Sequence, residues 1–309
     1  MPWPRHLILE ITNACDLRCR GCHFHSPEVT RLRPTRSMPA AVWREVVAQA
    51  AAWDSPLCLQ PWGMGEPLLH DDLWDLVATA KRHPHLQVGF YSNGMQWTDA
   101  DVDAAVRTGL DWVCISVDGL RREVFEHYRT GASMDRVLAT VDALGAARRR
   151  PGAALTLKVN MVRYPELADH EDEFVAWFRD RVDEVLVSRY RSVGDRRFSP
   201  IELPRVPCYQ PQTILAMAAD GRVSICCEDI QSQNVVGTFP EQSLTEIWRG
   251  PAMQDIRRRH AERRWDELPL CRDCDGWTAV YSRGSQRDGL QVLERTPGTQ
   301  YVPGRERGG

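Results

Sequence analysis

The sequence is poor in lysine and lacks long apolar runs, and both shortages exclude classes of protein. Of the 39 basic residues only two are lysines, Lys81 and Lys158. A GC-rich codon bias explains so many arginines, so we do not interpret them as phosphate ligands. The net charge of −3 gives no electrostatic reason to expect nucleic acid as a partner. No apolar run has membrane-spanning length, and residues 1–5 do not form the apolar core of a signal peptide. We therefore predict a cytoplasmic protein without nucleic-acid or membrane partners.

Cysteine is the residue type that says most about chemistry. The ten cysteines form two groups near opposite ends of the chain, with Cys58 and Cys114 isolated between them. In a chain of 309 residues without a secretory signal, this grouping favours metal ligation over a disulfide scaffold.

In the first group, Cys15, Cys19 and Cys22 lie within eight residues and follow a predicted strand. Three thiolates so close together can bind one face of an iron–sulfur cube and leave its fourth iron open. The alternative is a tetrahedral zinc site with His23 or His25 as the fourth ligand.

Apolar runs alternate with helical patterns from residue 6 to residue 190, which predicts parallel βα units. The predicted strands are 6–11, 57–62, 86–91, 112–117, 154–161 and 184–188, and the predicted helices are 39–53, 71–82, 98–108, 133–149 and 166–180. Six units are too few to close an eight-stranded barrel. We therefore predict an α/β fold, a partial (β/α)6 barrel with its site at the carboxyl ends of the strands.

The periodicity changes after Gly194. Asp220-Gly221 between two apolar runs predicts a hairpin, and a helix is predicted over 244–259. Residues from 285 onward are rich in Gly and Arg and show no periodicity. The predicted domains are a partial barrel over 1–194, a small hairpin-plus-helix domain over 195–284 and a flexible tail over 285–309.

Four motifs follow successive predicted strands. They are Cys15 to Cys22, Gly63-Met64-Gly65-Glu66-Pro67, Tyr91-Ser92-Asn93-Gly94 and Ile115-Ser116-Val117-Asp118-Gly119, and Arg129 follows the last. In this order they resemble the radical S-adenosylmethionine (SAM) superfamily, although Met64 and Gly21 stand where its pattern has a glycine and an aromatic residue.

The resemblance implies a [4Fe–4S] cluster on Cys15, Cys19 and Cys22 and SAM as the cofactor. One-electron cleavage of SAM gives a 5′-deoxyadenosyl radical, which abstracts a hydrogen atom from the substrate. The residues implied in SAM binding are Gly65, Glu66, Ser92, Asn93, Ser116, Asp118, Arg129 and Asn160.

The second cysteine group resembles the SPASM/twitch extension of the same superfamily, which carries auxiliary clusters. Cys208, Cys226, Cys271 and Cys274 make one complete set of four ligands, which implies a single auxiliary [4Fe–4S] cluster of the twitch type. Four thiolates also suit zinc. Cys226 and Cys227 cannot both face one cluster, since neighbouring strand residues point to opposite sides. We assign Cys226 as the ligand and Cys227 as spare.

Five residues are candidates for substrate chemistry. By strand parity Cys114 points into the barrel beside Ser116. Lys158, in mid-strand, is expected to face a polar cavity, where it meets the SAM carboxylate or the substrate. Arg189 and Arg191 can hold or activate a hydroxyl, and Cys227 can donate a hydrogen atom. The alternatives are an exposed strand position for Lys158, surface arginines, and simple packing for the cysteines.

Over nearly the whole chain the pattern resembles 2-deoxy-scyllo-inosamine dehydrogenases. This implies that a hydroxyl-bearing carbon of an aminoglycoside, sugar or cyclitol is oxidised to a ketone in antibiotic biosynthesis. The auxiliary cluster would take the electron, and flavodoxin or ferredoxin would be the electron donor. One alternative is an epimerase of the same substrates, in which Cys58, Cys114 or Cys227 returns the hydrogen atom.

Two further classes remain, a peptide maturase and a non-catalytic iron–sulfur or zinc protein. Because the first strand is predicted from residue 6, we expect no leader-binding domain before it, and this favours a small-molecule substrate over a peptide. The intact strand-end motifs disfavour a protein without catalytic activity.

Overall fold

The computed structural model describes residues 2–190, 203–232, 234–295 and 298–303. The strands are β1 His6–Leu9, β2 Leu57–Gln60, β3 Leu86–Ser92, β4 Trp112–Ser116, β5 Thr156–Arg163, β6 Glu184–Arg189, β7 Ile214–Met217, β8 Arg222–Ser224, β9 Val235–Thr238, β10 Arg283–Arg287, β11 Leu290–Glu294 and β12 Gly298–Pro303. The α-helices are α1 Ala40–Ala51, α2 Leu73–Ala80, α3 Asp99–Arg107, α4 Arg122–Tyr128, α5 Met134–Ala147, α6 Glu171–Phe178, α7 Gln210–Thr213, α8 Leu244–Arg249, α9 Pro251–Ala261 and α10 Pro269–Arg272. No helix in these ranges is long and apolar enough to cross a membrane.

The described strands form one sheet in the order β10-β11-β12-β6-β5-β4-β3-β2-β1-β7-β8-β9. Strands β1 to β6 are parallel neighbours in chain order, as βα units require. The fold is therefore an α/β partial barrel, as the sequence predicts. β7 continues the parallel sheet beside β1 and begins the antiparallel hairpin of β7 and β8. Cys208 precedes this hairpin and Cys226 and Cys227 directly follow it, whereas Cys271 lies in α10.

The two faces of the barrel strands differ in polarity. On β4 and β5, Val113, Ile115, Leu157 and Val159 are fully buried and belong to the apolar core shared with the helices. The alternate positions, which face the barrel interior, carry polar or small side chains such as Cys114, Lys158 and Ser116. This alternation leaves the interior free for chemistry.

The five predicted barrel helices begin and end within one to five residues of the predicted positions, and two other differences are larger. The helix predicted over 244–259 is two helices, because α8 ends at Arg249 and α9 begins with Pro251 at its first position. Proline fits a first turn but breaks a helix interior. The sequence does not predict helix α4, which fills the loop between the fourth strand end and α5.

The carboxyl-terminal segment is folded, so the prediction of a flexible tail from residue 285 is wrong for the part that the structure describes. β10 pairs with β11, β11 with β12, and β12 lies antiparallel to β6. Leu290, Val292 and Tyr301 of these strands are buried. All five residues of β10 are exposed, so this strand carries none of the apolar alternation by which a half-buried strand is recognised.

Candidate functional site

The three cysteines of the first group surround a cavity of about 330 Å³ at the carboxyl ends of the barrel strands. We call it the first thiol cavity. Six of the residues predicted to bind SAM also line it: Gly65, Glu66, Ser92, Asn93, Ser116 and Arg129. The strand ends thus bring four sequence motifs around one space, as parallel strands of a barrel do.

The surroundings of the cysteines in the first thiol cavity suit sulfur atoms that carry negative charge. The backbone N–H groups of Phe24 and His25 donate to Cys22 Sγ over 3.4 and 3.2 Å. Burial raises the pKa of Cys15 to about 12 and that of Cys19 to about 11, so their thiolates need cations beside them. An iron–sulfur cluster meets both conditions, because its irons bind thiolates and its sulfurs accept N–H donors. Among the described residues, no three His, Cys, Asp or Glu side chains are placed so that they could bind a single metal ion.

Gly65 brings the second strand end against the cysteine loop. A Cβ at this position would lie 2.4 Å from the carbonyl oxygen of Ala14 and 2.5 Å from that of Thr12. The backbone N–H of Glu66 donates to the same Ala14 carbonyl over 2.8 Å. Only glycine permits this approach, so Gly65 sets the distance between the cysteine loop and the carboxylate of Glu66.

Glu66 is buried and ties the second strand end to the third. Its Oε1 accepts from the Ser92 hydroxyl at 2.9 Å, and its Oε2 accepts from the Asn93 backbone N–H at 2.7 Å. Burial raises the pKa of Glu66 to about 7, although these hydrogen bonds oppose the shift. Each oxygen keeps further lone-pair capacity. A cation in the cavity would favour the ionised form of this carboxyl.

Asp118 and Asn160, which the sequence also predicts to bind SAM, are outside the residues that line the cavity. Asp118 has a left-handed backbone with φ of 51°. Its carboxylate accepts from Arg129 Nε at 2.6 Å and from the Val162 backbone N–H at 2.8 Å. Asn160 Oδ1 accepts from the Ser188 hydroxyl at 2.7 Å. These contacts are with protein groups, and Asp118 acts on the cavity by positioning Arg129.

The cavity wall also contains an aromatic residue that the motifs do not indicate. Tyr164 lines the cavity, and its hydroxyl lies 3.0 Å from where a Cβ on Gly21 would be. Its ring stacks on Tyr128 with the ring centroids 3.6 Å apart. Tyr164 thus lies beside the position at which Gly21 departs from the family pattern. No motif reveals it, since it follows the fifth strand.

The four predicted ligands of the auxiliary cluster line one second cavity, of about 30 Å³. These ligands are Cys208, Cys226, Cys271 and Cys274, and we call the space the second thiol cavity. Gly276 donates its backbone N–H to Cys274 Sγ over 3.3 Å, the same kind of contact as at Cys22. Cys227 is not among its lining residues, as the choice of Cys226 over Cys227 predicts. The strand-parity reason for that choice is wrong, because β8 ends at Ser224 and both cysteines follow it.

A third cavity, of about 40 Å³, shares wall residues with both thiol cavities, and we call it the middle cavity. It shares Trp62, Gly63 and Met64 with the first thiol cavity and Cys226 with the second. Cys227 lines it. The three cavities therefore adjoin in series, from the first cysteine group to the second.

A buried ion pair in the wall of the middle cavity joins three parts of the chain. Arg33 donates to both oxygens of Glu10, over 2.6 and 2.9 Å. Glu10 also accepts from the backbone N–H groups of Met64 and Ala219, each at 3.1 Å, and Arg33 donates to the Ile230 carbonyl. The pair links the loop after the first cysteine group, the end of β2, and the hairpin of β7 and β8. Sequence reasoning missed it, because one arginine among so many carries no signal.

The predicted substrate residues of the barrel interior lie outside the described cavities. Lys158 pairs with Glu184 at 2.7 Å, and its ammonium group is 5.4 Å from the ring centre of Trp112. Cys114, opposite Lys158 in the sheet register, is fully buried. Since Ser116, two residues later on β4, lines the first thiol cavity, Cys114 and Lys158 form the layer beneath it. The structure therefore matches neither alternative for Lys158: the side chain is not exposed, and it does not contact the cavity.

Of the two candidate arginines, Arg189 is the last residue of β6 and is half-buried. It lies at the carboxyl end of its strand, the end at which the other barrel strands meet the first thiol cavity. Arg191 lies outside the described residues.

Sequence comparison decides the family. The pattern of the radical SAM superfamily matches residues 9–178, and that of an iron–sulfur cluster-binding domain, SPASM, matches residues 208–275. The chain belongs to the radical SAM superfamily. Its cofactors are SAM and [4Fe–4S] clusters, including an auxiliary cluster in the SPASM region. The three cysteines of the first thiol cavity and the four of the second lie within the two matched regions.

Three known proteins show the range of this similarity. PqqA peptide cyclase of Xanthomonas campestris is 30% identical over 207 residues, which are 63% of this chain and 50% of the cyclase. The chain thus spans half the length of that relative. Among solved structures, BtrN in complex with AdoMet and 2-DOIA is 18% identical with a TM-score of 0.62, and the match covers 89% of this chain and 94% of BtrN. SuiB of Streptococcus suis bound to S-adenosylmethionine is 17% identical with a TM-score of 0.68, over 90% and 73% of the chains. The two structures share the fold of this radical SAM enzyme.

Proposed function

We propose that this radical SAM enzyme oxidises a hydroxyl-bearing carbon of a small molecule, an aminoglycoside, sugar or cyclitol of an antibiotic pathway, to a ketone. The observation that carries the proposal is the series of adjoining cavities from the first cysteine group to the second. When bound, SAM and the first cluster supply a 5′-deoxyadenosyl radical that removes hydrogen, and the auxiliary cluster supplies an acceptor for the electron released as the ketone forms. A flavodoxin or ferredoxin is the proposed reductant.

The residues of the first thiol cavity have separable roles in this proposal. Cys15, Cys19 and Cys22 hold the cluster. Glu66, with Ser92 fixing one of its oxygens at 2.9 Å, receives the ammonium group of SAM. Arg129, held by Asp118 at 2.6 Å, presents its remaining N–H groups to the cavity. These contacts orient the cofactor before the substrate arrives, which lowers the entropic cost of reaction.

The walls between the first thiol cavity and the middle cavity suit a small substrate. Trp62 and Tyr91 line the first thiol cavity and pack edge to face with their ring centroids 5.0 Å apart. Flat aromatic faces pack well against sugar-like rings, whose C–H groups are apolar. Lys158 and Glu184 form an ion pair in the layer beneath the cavity and do not line it. Arg189, at the carboxyl end of β6, is the candidate to bind a substrate hydroxyl.

Epimerisation is the second candidate, and the position of Cys227 supports it. Cys227 lines the middle cavity, which adjoins the first thiol cavity at Trp62. A thiol there is placed to return a hydrogen atom to a substrate radical that lies between the cavities. Cys114 is a poorer donor, because it is fully buried in the layer beneath. Peptide maturation is the third candidate, since a peptide cyclase is among the relatives.

The test is turnover of reconstituted enzyme with aminocyclitols, aminoglycosides and sugars that carry deuterium at each carbinol carbon. We expect deuterium in 5′-deoxyadenosine and a ketone product that has lost two hydrogens. The Cys114→Ala variant should keep this activity, and Ala at any one of Cys208, Cys226, Cys271 and Cys274 should abolish it. An epimerised product that has lost no hydrogen overall, that carries one deuterium when unlabelled substrate turns over in D2O, and that Cys227→Ala does not form, would establish the epimerase. Turnover of precursor peptides alone would establish the maturase.

A further inference from the structure

His260 presents an unused hydrogen-bond donor to the second thiol cavity. It lies in the last turn of α9, on the buried face of that helix together with Met253, Ile256 and Arg257. Its side chain is 4% exposed and lines the cavity that the four thiols surround. Its Nε2 is buried and has no hydrogen-bond partner within the protein.

The other ring nitrogen of His260 determines where its proton lies. Nδ1 accepts a hydrogen bond from the backbone N–H of Cys208 over 3.3 Å. A neutral imidazole that accepts at Nδ1 carries its proton on Nε2. The ring is therefore a neutral N–H donor at Nε2.

A buried N–H group without an acceptor is destabilising, and native proteins rarely leave one. The chemistry of this cavity offers a natural acceptor. The thiolates and sulfides of an iron–sulfur cluster accept N–H hydrogen bonds, and such bonds are among the factors that set the reduction potential of the cluster. Arg205 also lines the cavity, but a guanidinium has no acceptor for the His260 N–H. It donates to the carbonyl oxygens of Cys271 and Arg272.

We propose that His260 Nε2–H donates to a sulfur of the auxiliary cluster and raises its reduction potential. His260 is thus a positioning residue that makes the auxiliary cluster a better electron acceptor. The hydrogen bond stabilises the reduced cluster more than the oxidised one, because the reduced cluster carries more negative charge on its sulfurs. The inference rests on the assignment of Cys208, Cys226, Cys271 and Cys274 as ligands, which the iron content of the protein tests separately.

The experiment uses the full chain with Cys15, Cys19 and Cys22 replaced by Ala, so that the auxiliary cluster is the one observed. In this background we compare His260, His260→Phe and His260→Gln by EPR-monitored redox titration, with iron counted in each sample. We expect His260→Phe to lower the ratio of reduced to oxidised cluster at a fixed potential about tenfold, equivalent to about 59 mV for a one-electron couple. His260→Gln, which keeps an N–H donor, should recover most of the loss. His83→Phe, at a histidine that lines neither thiol cavity, should change nothing.

A second measurement does not depend on the variant folding. Pulsed EPR of the reduced auxiliary cluster, with ¹⁵N-labelled histidine and with H2O exchanged for D2O, should detect one weakly coupled histidine nitrogen. It should also detect an exchangeable proton in addition to the N–H of Gly276, which donates to Cys274 Sγ. An unchanged potential in an iron-loaded His260→Phe protein would overturn the proposal. So would the absence of this additional proton coupling, or a nitrogen coupling as strong as that of a direct iron ligand.

Discussion

Replacing Glu66 by Gln tests the electrostatics of the first thiol cavity. The amide keeps the shape of the carboxyl group. Its single oxygen can accept from the Asn93 backbone N–H, which donates to Glu66 at 2.7 Å, whereas its NH2 group replaces the oxygen that accepts from the Ser92 hydroxyl at 2.9 Å. The variant loses the negative charge, the ability to titrate and one accepted hydrogen bond, and of these only the charge depends on pH. Because burial raises the pKa of Glu66 to about 7, wild-type protein loses this charge as the pH falls through neutrality, whereas the variant never has it.

The expected size follows from the fraction of Glu66 that is ionised. With a pKa of about 7, that fraction is about three quarters at pH 7.5 and about 3% at pH 5.5. If only the ionised carboxyl binds the ammonium group of SAM, the advantage of wild type over Glu66→Gln falls about 25-fold across this interval. Dividing the dissociation constant of the variant by that of wild type cancels other pH effects, such as protonation of SAM itself.

The assay is equilibrium dialysis of labelled SAM against iron-loaded protein without oxygen, at several pH values, with iron counted in both proteins. We expect equal iron content, weaker SAM binding in Glu66→Gln near pH 7.5, and convergence of the two constants near pH 5.5. A ratio that stays constant with pH would refute the role of the charge. A loss of iron in the variant like that of a cysteine variant would show that Glu66 supports the fold of the cavity instead.

Three further predictions concern the parts that build the cavity. Ala at all three cysteines of the first thiol cavity should leave about half of the iron and abolish SAM cleavage; retained cleavage would contradict the assignment. Gly65→Ala should abolish SAM binding, because its Cβ would lie 2.4 Å from a backbone oxygen, whereas Gly284→Ala, with nothing within 4 Å, should bind SAM as wild type does. Arg33→Met should lower the free energy of unfolding by about 3–5 kcal/mol, since it leaves the buried charge of Glu10 unpaired. Adding Glu10→Gln should recover part of that loss in denaturant titrations, and no recovery would show that the pair acts only through packing.

The sequence predicts the barrel and most of the first thiol cavity well, because both follow from local patterns. Apolar alternation marks β1 to β6, and each motif sits where its strand ends. The prediction for Asp118 illustrates the limit. Parity along β4 places it on the face of Ser116, but the chain turns left-handed at Asp118 after the strand ends, and parity no longer applies there. Its contact with Arg129 depends on that turn.

Long-range partners are the part that no local pattern reveals. Glu10 and Arg33 meet through a loop, and Arg33 reaches the Ile230 carbonyl far along the chain. The strands after residue 282 carry weak alternation, since β10 is exposed throughout. Their position beside β6 depends on the free edge of β6, which exists only in the assembled sheet and leaves no local pattern in the sequence.

Both edge strands of the barrel, β1 and β6, are covered by strands that are synthesised late. β7 covers the open side of β1, and β12 covers the open side of β6. Until those residues emerge, a nascent chain that already contains the first cysteine group has two uncovered strand edges, the kind of surface that pairs with other chains. The two edges are therefore protected from aggregation only after β7 and β12 have been synthesised. Insertion of iron into the amino-terminal cysteines during synthesis would occur in a sheet that is not yet closed.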